Sequence, residues 1–232
     1  FNNQSTAQFA TVGGGNTNKA TASATTVSGG NTNLANAVNA TVGGGNNNIA
    51  SGVNATIGGG TSNTASETNS FIGGGTGNIS QGLSGTIGGG DNNTNSGQYG
   101  TISGGKDNTQ SATSGTIGGG VTNSVRNNST ASVIGGGREN TVGENSLYGT
   151  IAGGYLNVIP NTDSATIGGG TNNRIADEAD AATISGGMDN IITTNQSASS
   201  IGGGRSNIIR ANSSYSTISG GRGNDVTSDA IN

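Results

Sequence analysis

Gly100 to Lys106, GTISGGK, has the opening of a phosphate-binding loop, in which glycine N–H groups cradle phosphates and the lysine meets the β- and γ-oxygens. Asp107 stands where that loop needs Ser or Thr for a metal, and the same glycines recur in stretches without lysine, so the segment reads as a turn. Gly220 to Ser228, GGRGNDVTS, fits a calcium-binding nonapeptide, whose adjacent turns share an ion. It occurs once, whereas shared coordination needs consecutive copies, and a structural turn is again the better reading. The densest acidic group is Asp177, Glu178 and Asp180, which suits a solvated loop. His and Cys are absent, so nucleophilic and acid–base catalysis lack their usual groups. The chain is expected to be no enzyme and to need no cofactor or metal. The sequons at Asn39 and Asn54 are what an Asn/Thr-rich chain generates by chance.

The chain that carries these residues, with 47 glycines in 232 residues, 28% hydrophobic and 3% aromatic content, cannot fill a conventional core. Disorder is the first alternative, but charge is only 9% and net charge only -4, without the self-repulsion of disordered chains. No stretch approaches the roughly 18 apolar residues of a membrane span, and no signal-peptide pattern opens the chain. Membrane insertion is therefore not expected. Eight Lys+Arg cannot build a dense phosphate-neutralising face, so nucleic acid is not an expected partner.

The chain is a tandem repeat. A β-branched residue precedes each glycine run: Val12, Val27, Val42, Ile57, Ile72, Ile87, Ile102, Ile117, Ile134, Ile151, Ile167, Ile184, Ile201 and Ile218. These fourteen anchors are 15 residues apart through Ile117 and 16 or 17 apart afterwards, dividing the array into a short-period part, 1–123, and a longer-period part, 124–232, with no linker between them. Two and three positions after every anchor stand glycines, and six positions after it an asparagine, from Asn18 to Asn224. Asn3 falls on the same asparagine column.

The simplest fold is all-β: a parallel β-solenoid or β-roll of about fourteen turns, stacked at roughly 4.8 Å. The anchor points inward, the residue before it (usually Thr) points outward, and the residue before that is small, as period-two alternation requires. The glycine pair serves either a positive φ or a close backbone approach. An asparagine in a left-handed or Asx-turn conformation would close the bend, and stacked copies would form an amide ladder. Eight positions after the anchor, Ala20, Ala35, Ala50 and Ala65 give way to Val125, Val142, Ile159 and Ile175, so the coil is expected to widen, with Asn95 and Gln110 interrupting the column just before. Four and five positions after the anchor charge collects, marking a solvated outer turn; within it Arg138, Tyr155, Arg205 and Arg222 are the candidate partner-binding stripe.

Two or three large apolar groups per turn, at about 1.5–3 kcal/mol each, fall short of a backbone entropy cost of about 1–2 kcal/mol per residue. Lateral association of identical chains is the economical remedy, so a homo-oligomer is expected. Units such as ATVGGGNNNIASGVN (Ala40 to Asn54) and TISGGKDNTQSATSG (Thr101 to Gly115) resemble the YadA-like head repeats of trimeric autotransporter adhesins, of the GGG-x-x-N variety. The resemblance covers nearly the whole chain. It implies a left-handed roll, three subunits about one axis, and an adhesive role at the cell surface against surface or extracellular-matrix ligands. The later 17-residue units are longer than the compact head repeat, and neither a heptad stalk nor a membrane-anchor barrel is present in these residues.

An alternative reading is a structural shaft of a phage or viral tail fibre, or a self-stacking extracellular filament. It draws on ends at Phe1 and Asn232 that are expected to be uncapped, either because the chain is a piece of a longer protein or because its ends stack on neighbours. Ice binding is a third reading, but its single threonine column is interrupted at Phe71 and Val133.

Overall fold

In the computed structural model the chain divides into two compact units, Phe1–Ser111 and Ala112–Asn232. Residues 2–227 are described; Phe1, Ser228 of the nonapeptide and the end at Asn232 lie outside them. Both units are parallel β-solenoids, about fifteen turns between them, and no helix occurs among the described residues.

Each turn contributes two strands of only two residues. In the first unit Thr41–Val42 pairs in parallel with Thr56–Ile57, Thr on Thr and Val on Ile. Seven and eight residues after the anchor, Leu34–Ala35 pairs with Ile49–Ala50 in the same register. Between the two rows, four after the anchor, single residues bridge in parallel, as Asn31 with Asn46. The second unit repeats the scheme with Thr166–Ile167 on Thr183–Ile184 and Arg174–Ile175 on Ile191–Ile192. A two-residue strand has one side chain in and one out, so each row has one buried and one outward column. The anchors from Val27 to Ile201 are fully buried, and the threonines before them are half-buried on the outside.

The asparagine column is the polar spine of the interior. Asn63 is fully buried. Its Oδ1 accepts from the backbone N–H and the side-chain amide of Asn78, one turn on, at 3.0 and 3.1 Å. Its Nδ2 donates to Asn48 Oδ1 at 3.1 Å, to the Gly59 carbonyl at 3.0 Å and to the Gly75 carbonyl at 2.9 Å. One side chain thus ties three turns. The second unit has the same ladder, with Asn173 bonded to Asn157, Gly169 and Gly187. Asn3 belongs to it, accepting from the Asn18 N–H at 3.0 Å.

The bend itself differs from expectation. The ladder asparagines are neither left-handed nor in Asx turns; the left-handed residue is the one before, as Asn47 (φ 57°), Ser62 (φ 56°) and Asn172 (φ 54°). Their amides are committed to the ladder, so the preceding residue takes the turn. Of the glycine pair, the second serves both expected uses at once. Gly60 has φ 94°, and a Cβ there would overlap the Gly75 carbonyl oxygen. The first of the pair, Gly59, would present a Cβ to nothing nearer than 4.0 Å.

Interior volume is balanced between columns. Asn95 and Gln110 point inward and are fully buried, and they face Gly85 and Gly100 rather than the usual alanine. A Cβ on Gly100 would collide with both amides, and Asn95 Nδ2 donates to the Gly100 carbonyl at 2.7 Å. Thr25 breaks the small-residue column and satisfies its hydroxyl on the Ala22 carbonyl at 2.6 Å. The longer turns place their extra residues between the second strand row and the next anchor, where Val142 to Tyr148 replaces the shorter Ala50 to Asn54. They form a second left-handed corner at Asn128, Asn145, Glu178, Asn195 and Asn212 (φ 57–63°). The wider coil admits a second large aliphatic per turn, so Ile159, Ile175, Ile192 and Ile209 are all fully buried. New buried hydroxyls cross the gap, Ser129 to the Gly143 carbonyl and Thr162 to the Ala176 carbonyl at 2.8 Å.

Replacing Asn63 by Ala strands the Asn78 N–H and the Gly59 carbonyl, while the Gly75 carbonyl keeps the Thr61 N–H; at about 1–3 kcal/mol per unsatisfied buried group the expected loss is about 2 kcal/mol or more in urea unfolding followed by circular dichroism. Asn46→Ala, on the exposed row, is expected to change stability by no more than about 0.5 kcal/mol. Equal effects for the two would refute the ladder as the spine.

Candidate functional site

With no charged side chain buried among the described residues, chemistry is confined to the outward columns. Arg138, Tyr155, Arg205 and Arg222 all fall on one bridged row of the second unit, in the order Arg138, Tyr155, Thr171, Met188, Arg205, Arg222. Parallel stacking sets neighbours on this row about 4.8 Å apart. Arg138 lies over the Tyr155 ring with its guanidinium carbon 5.6 Å from the centroid, and its Nε donates to Glu139 at 2.8 Å. Arg205 is 4.0 Å from an Asp189 carboxylate oxygen. The stripe is thus one continuous exposed row, with its cations partly engaged by their own neighbours.

Lys106 of the GTISGGK stretch is paired with Asp91 at 3.2 Å, and the chain runs on into the strand Thr109–Gln110, not into a helix whose N-terminus would face a phosphate. Asp225 of the nonapeptide receives three hydrogen bonds from Arg210, at 2.8, 3.0 and 2.7 Å. Glu178 and Asp180 join Asp163, Asn145 and Asn161 around a shallow depression. Two of its carboxylates are occupied with backbone: Asp163 Oδ1 accepts from the Leu147 N–H and Asp180 Oδ1 from the Asp163 N–H, both at 2.9 Å.

Two outward features escaped the reading of the sequence. On the second strand row the outward column carries Leu34, Ile49 and Ile79 in the first unit and Val158, Ile191 and Ile208 in the second, half-buried or exposed. Thr32 and Asn47 flank Leu34 and Ile49 along a groove. The anchor row is outwardly mostly threonine, whereas these aliphatics share their column with Thr64, Thr94, Thr109 and Thr141 and with the charged Lys19, Arg174 and Asp225. The signal was present, seven positions after each anchor, but without the bend it could not be assigned to the outside. Three positions before each anchor lies a left-handed tip, occupied by Asn39, Asn54 and Asn69 (φ 58–59°) and also by Phe9, Tyr99, Tyr148 and Tyr215. The run of asparagine was its only sequence signature.

No protein-family model matches the chain, and no curated protein sequence matches it.

The ion pairs are exposed, and in two of them a shift has an assignable sign. The hydrogen bond from Arg210 holds the Asp225 carboxyl below its ordinary value, so its contribution is present above the usual carboxylate range and lost as pH falls through the depressed value. The hydrogen bond to Asp91 holds Lys106 above its ordinary value, so that contribution is lost only as pH rises through the raised one. Surface pairs of this kind are worth little. The melting temperature is therefore expected to stay level from about pH 5 to 9 and between low and high salt, measured by circular dichroism; a midrange transition would reveal a buried charge.

Proposed function

We propose that this chain is a non-enzymatic, extracellular adhesive and structural module, the head of a trimeric autotransporter-like adhesin, assembled from three copies and binding surface or matrix ligands through repeated weak contacts. The observation that carries the reading is geometric repetition. Every turn presents the same outward columns at about 4.8 Å intervals, so a weak contact made by one residue is offered again along the row, and repetition multiplies affinity without any single deep site. The resemblance of the GGG-x-x-N units to YadA-like head repeats supports the same conclusion.

Two features support self-association. The outward aliphatics Leu34, Ile49 and Ile79 are only partly covered within their unit, Leu34 and Ile49 half-buried and Ile79 exposed, and in a chain this poor in apolar residues a homotypic interface is the natural place to bury them. The first glycine of each pair is kept without exception; Gly44, Gly89, Gly119, Gly169 and Gly203 have φ of 140–159°, which favours glycine, but at Gly59, Gly74 and Gly104 neither φ nor space demands it, since a Cβ would meet no atom nearer than 3.9 Å. A glycine with open space beside it within its own chain suits close approach by another backbone.

Sedimentation equilibrium of the purified chain is expected to give three times the 22.2 kDa chain mass, and Leu34→Lys with Ile49→Lys to shift the population towards single chains. A cooperatively melting monomer would overturn the assembly. Discrete particles in electron microscopy, together with retention on a cell or matrix surface, fit the adhesive head; end-to-end fibres without adhesion would favour the filament.

A further inference from the structure

Among the described residues no aromatic ring lies in the core. Phe9, Phe71, Tyr99, Tyr148, Tyr155 and Tyr215 are each at least 39% exposed, although rings of this kind ordinarily dominate cores and interfaces. Four of the six, Phe9, Tyr99, Tyr148 and Tyr215, occupy the left-handed tip, at φ 61, 56, 59 and 64°. A bulky side chain in that conformation is a backbone outlier, and such outliers concentrate where function holds them in place. The same tip is made elsewhere in the chain with Asn39, Asn54 and Asn69, the residue type that tolerates it best.

The rings stand uncovered. Their neighbours on adjoining turns are small, with Ala24 beside Phe9, Ser84 beside Tyr99, Ala131 and Ser164 either side of Tyr148, and Ala198 beside Tyr215. Tyr148 and Tyr215 are 60% and 79% exposed. Phe9 and Tyr99 are six turns apart in the first unit, about 29 Å, and Tyr148 and Tyr215 four turns apart in the second, about 19 Å. That spacing is too wide for the contiguous buried centre of a protein–protein interface. An extended polymer, however, meets such rings one at a time.

The groups between or beside the rings include hydrogen-bonding ones. In the first unit they are the Asn39, Asn54 and Asn69 amides, linked to one another at 3.0 Å but still exposed. In the second the tip positions between Tyr148 and Tyr215 are Ser164, Ala181 and Ala198, and the hydrogen-bonding groups lie beside them, Asn145 and Asn161 with the Asp163, Glu178 and Asp180 carboxylates around the adjoining depression. Acidic groups there, on a chain of net charge -4, repel polyanions.

We propose that the left-handed tip row of each unit is a glycan-binding edge for uncharged polysaccharide chains, with Phe9, Tyr99, Tyr148 and Tyr215 stacking on the apolar faces of pyranose rings and the amides and carboxylates along and beside the row meeting their hydroxyls. The inference rests on the adhesive reading and gives that reading a ligand class.

The test is electrophoresis of the assembled protein through native gels containing hydroxyethylcellulose, dextran or galactomannan, with heparin as the polyanion. The variant carries Tyr99→Asn, Tyr148→Asn and Tyr215→Asn, chosen because asparagine fits the left-handed backbone. The wild type is expected to be retarded by at least one neutral polysaccharide and not by heparin. The variant should lose that affinity at least tenfold, with a melting temperature unchanged or raised. No neutral retardation, retardation kept by the variant, or stronger retardation by heparin would overturn the glycan edge. Adhesion to intact cells separates this from the underlying reading. Equal adhesion by both proteins, or adhesion abolished by protease and not by periodate, removes the glycan edge and leaves the adhesive module standing. Absence of adhesion by the wild type removes the adhesive module itself.

Discussion

A buried amide that bonds to three successive turns is the interaction on which this structure depends. It can do so only where the backbones of neighbouring turns lie at sheet spacing, and that approach holds only because the second glycine of each pair has no Cβ to strike the next carbonyl, as at Gly60 against Gly75. Asparagine and glycine are therefore one device. The amide supplies donors and an acceptor in a dry interior, where a hydrogen bond is stronger and an unmet group costlier than in water, and the glycine brings the partners within reach.

Building the spine from neutral amides has consequences for the rest of the molecule. The interior needs few large side chains, so it tolerates a turn as thin as one isoleucine, two alanines and one asparagine, as at Ile57, Ala55, Ala65 and Asn63, and it accommodates Asn95 and Gln110 as long as Gly85 and Gly100 give up volume opposite them. Where the turn lengthens, the chain adds a second left-handed corner and a second aliphatic column in the same step, because the wider interior would otherwise be void. Hydroxyls such as Ser129 and Thr162 then satisfy the carbonyls that the longer corner exposes to the core.

Because the fold is held from inside, its outward positions are free to vary, and they vary by column. One strand row is faced mostly with threonine, the other with a mixture of aliphatic, threonine and charged residues, the bridged row between them mostly with polar and charged residues, and the tip with small residues and asparagines broken by exposed rings. A surface organised in this way offers several linear arrays instead of one concave site. That organisation suits contacts that are individually weak and collectively firm, and it explains why residues chosen for their chemistry, such as Lys106 and Asp225, prove to be engaged with neighbouring turns.

The sequence by itself determined the parallel register, the inward anchor, the small column opposite it and the asparagine ladder, because strict recurrence within one chain places like on like, and period-two alternation then assigns the faces. It also placed Arg138, Tyr155, Arg205 and Arg222 on one row, for the same reason. Only the tertiary structure decided which residue takes the left-handed turn, since Asn47 and Asn48 are the same residue type and differ only in which one the ladder claims. It also decided that Asn95 and Gln110 point inward and that Leu34 and Ile49 point outward, against their polarity in both cases. Side-chain polarity alone predicts burial when the core is apolar; here the core is an amide stack, so direction is set by where the chain bends, and the bends depend on backbone angles that no column of residue types records.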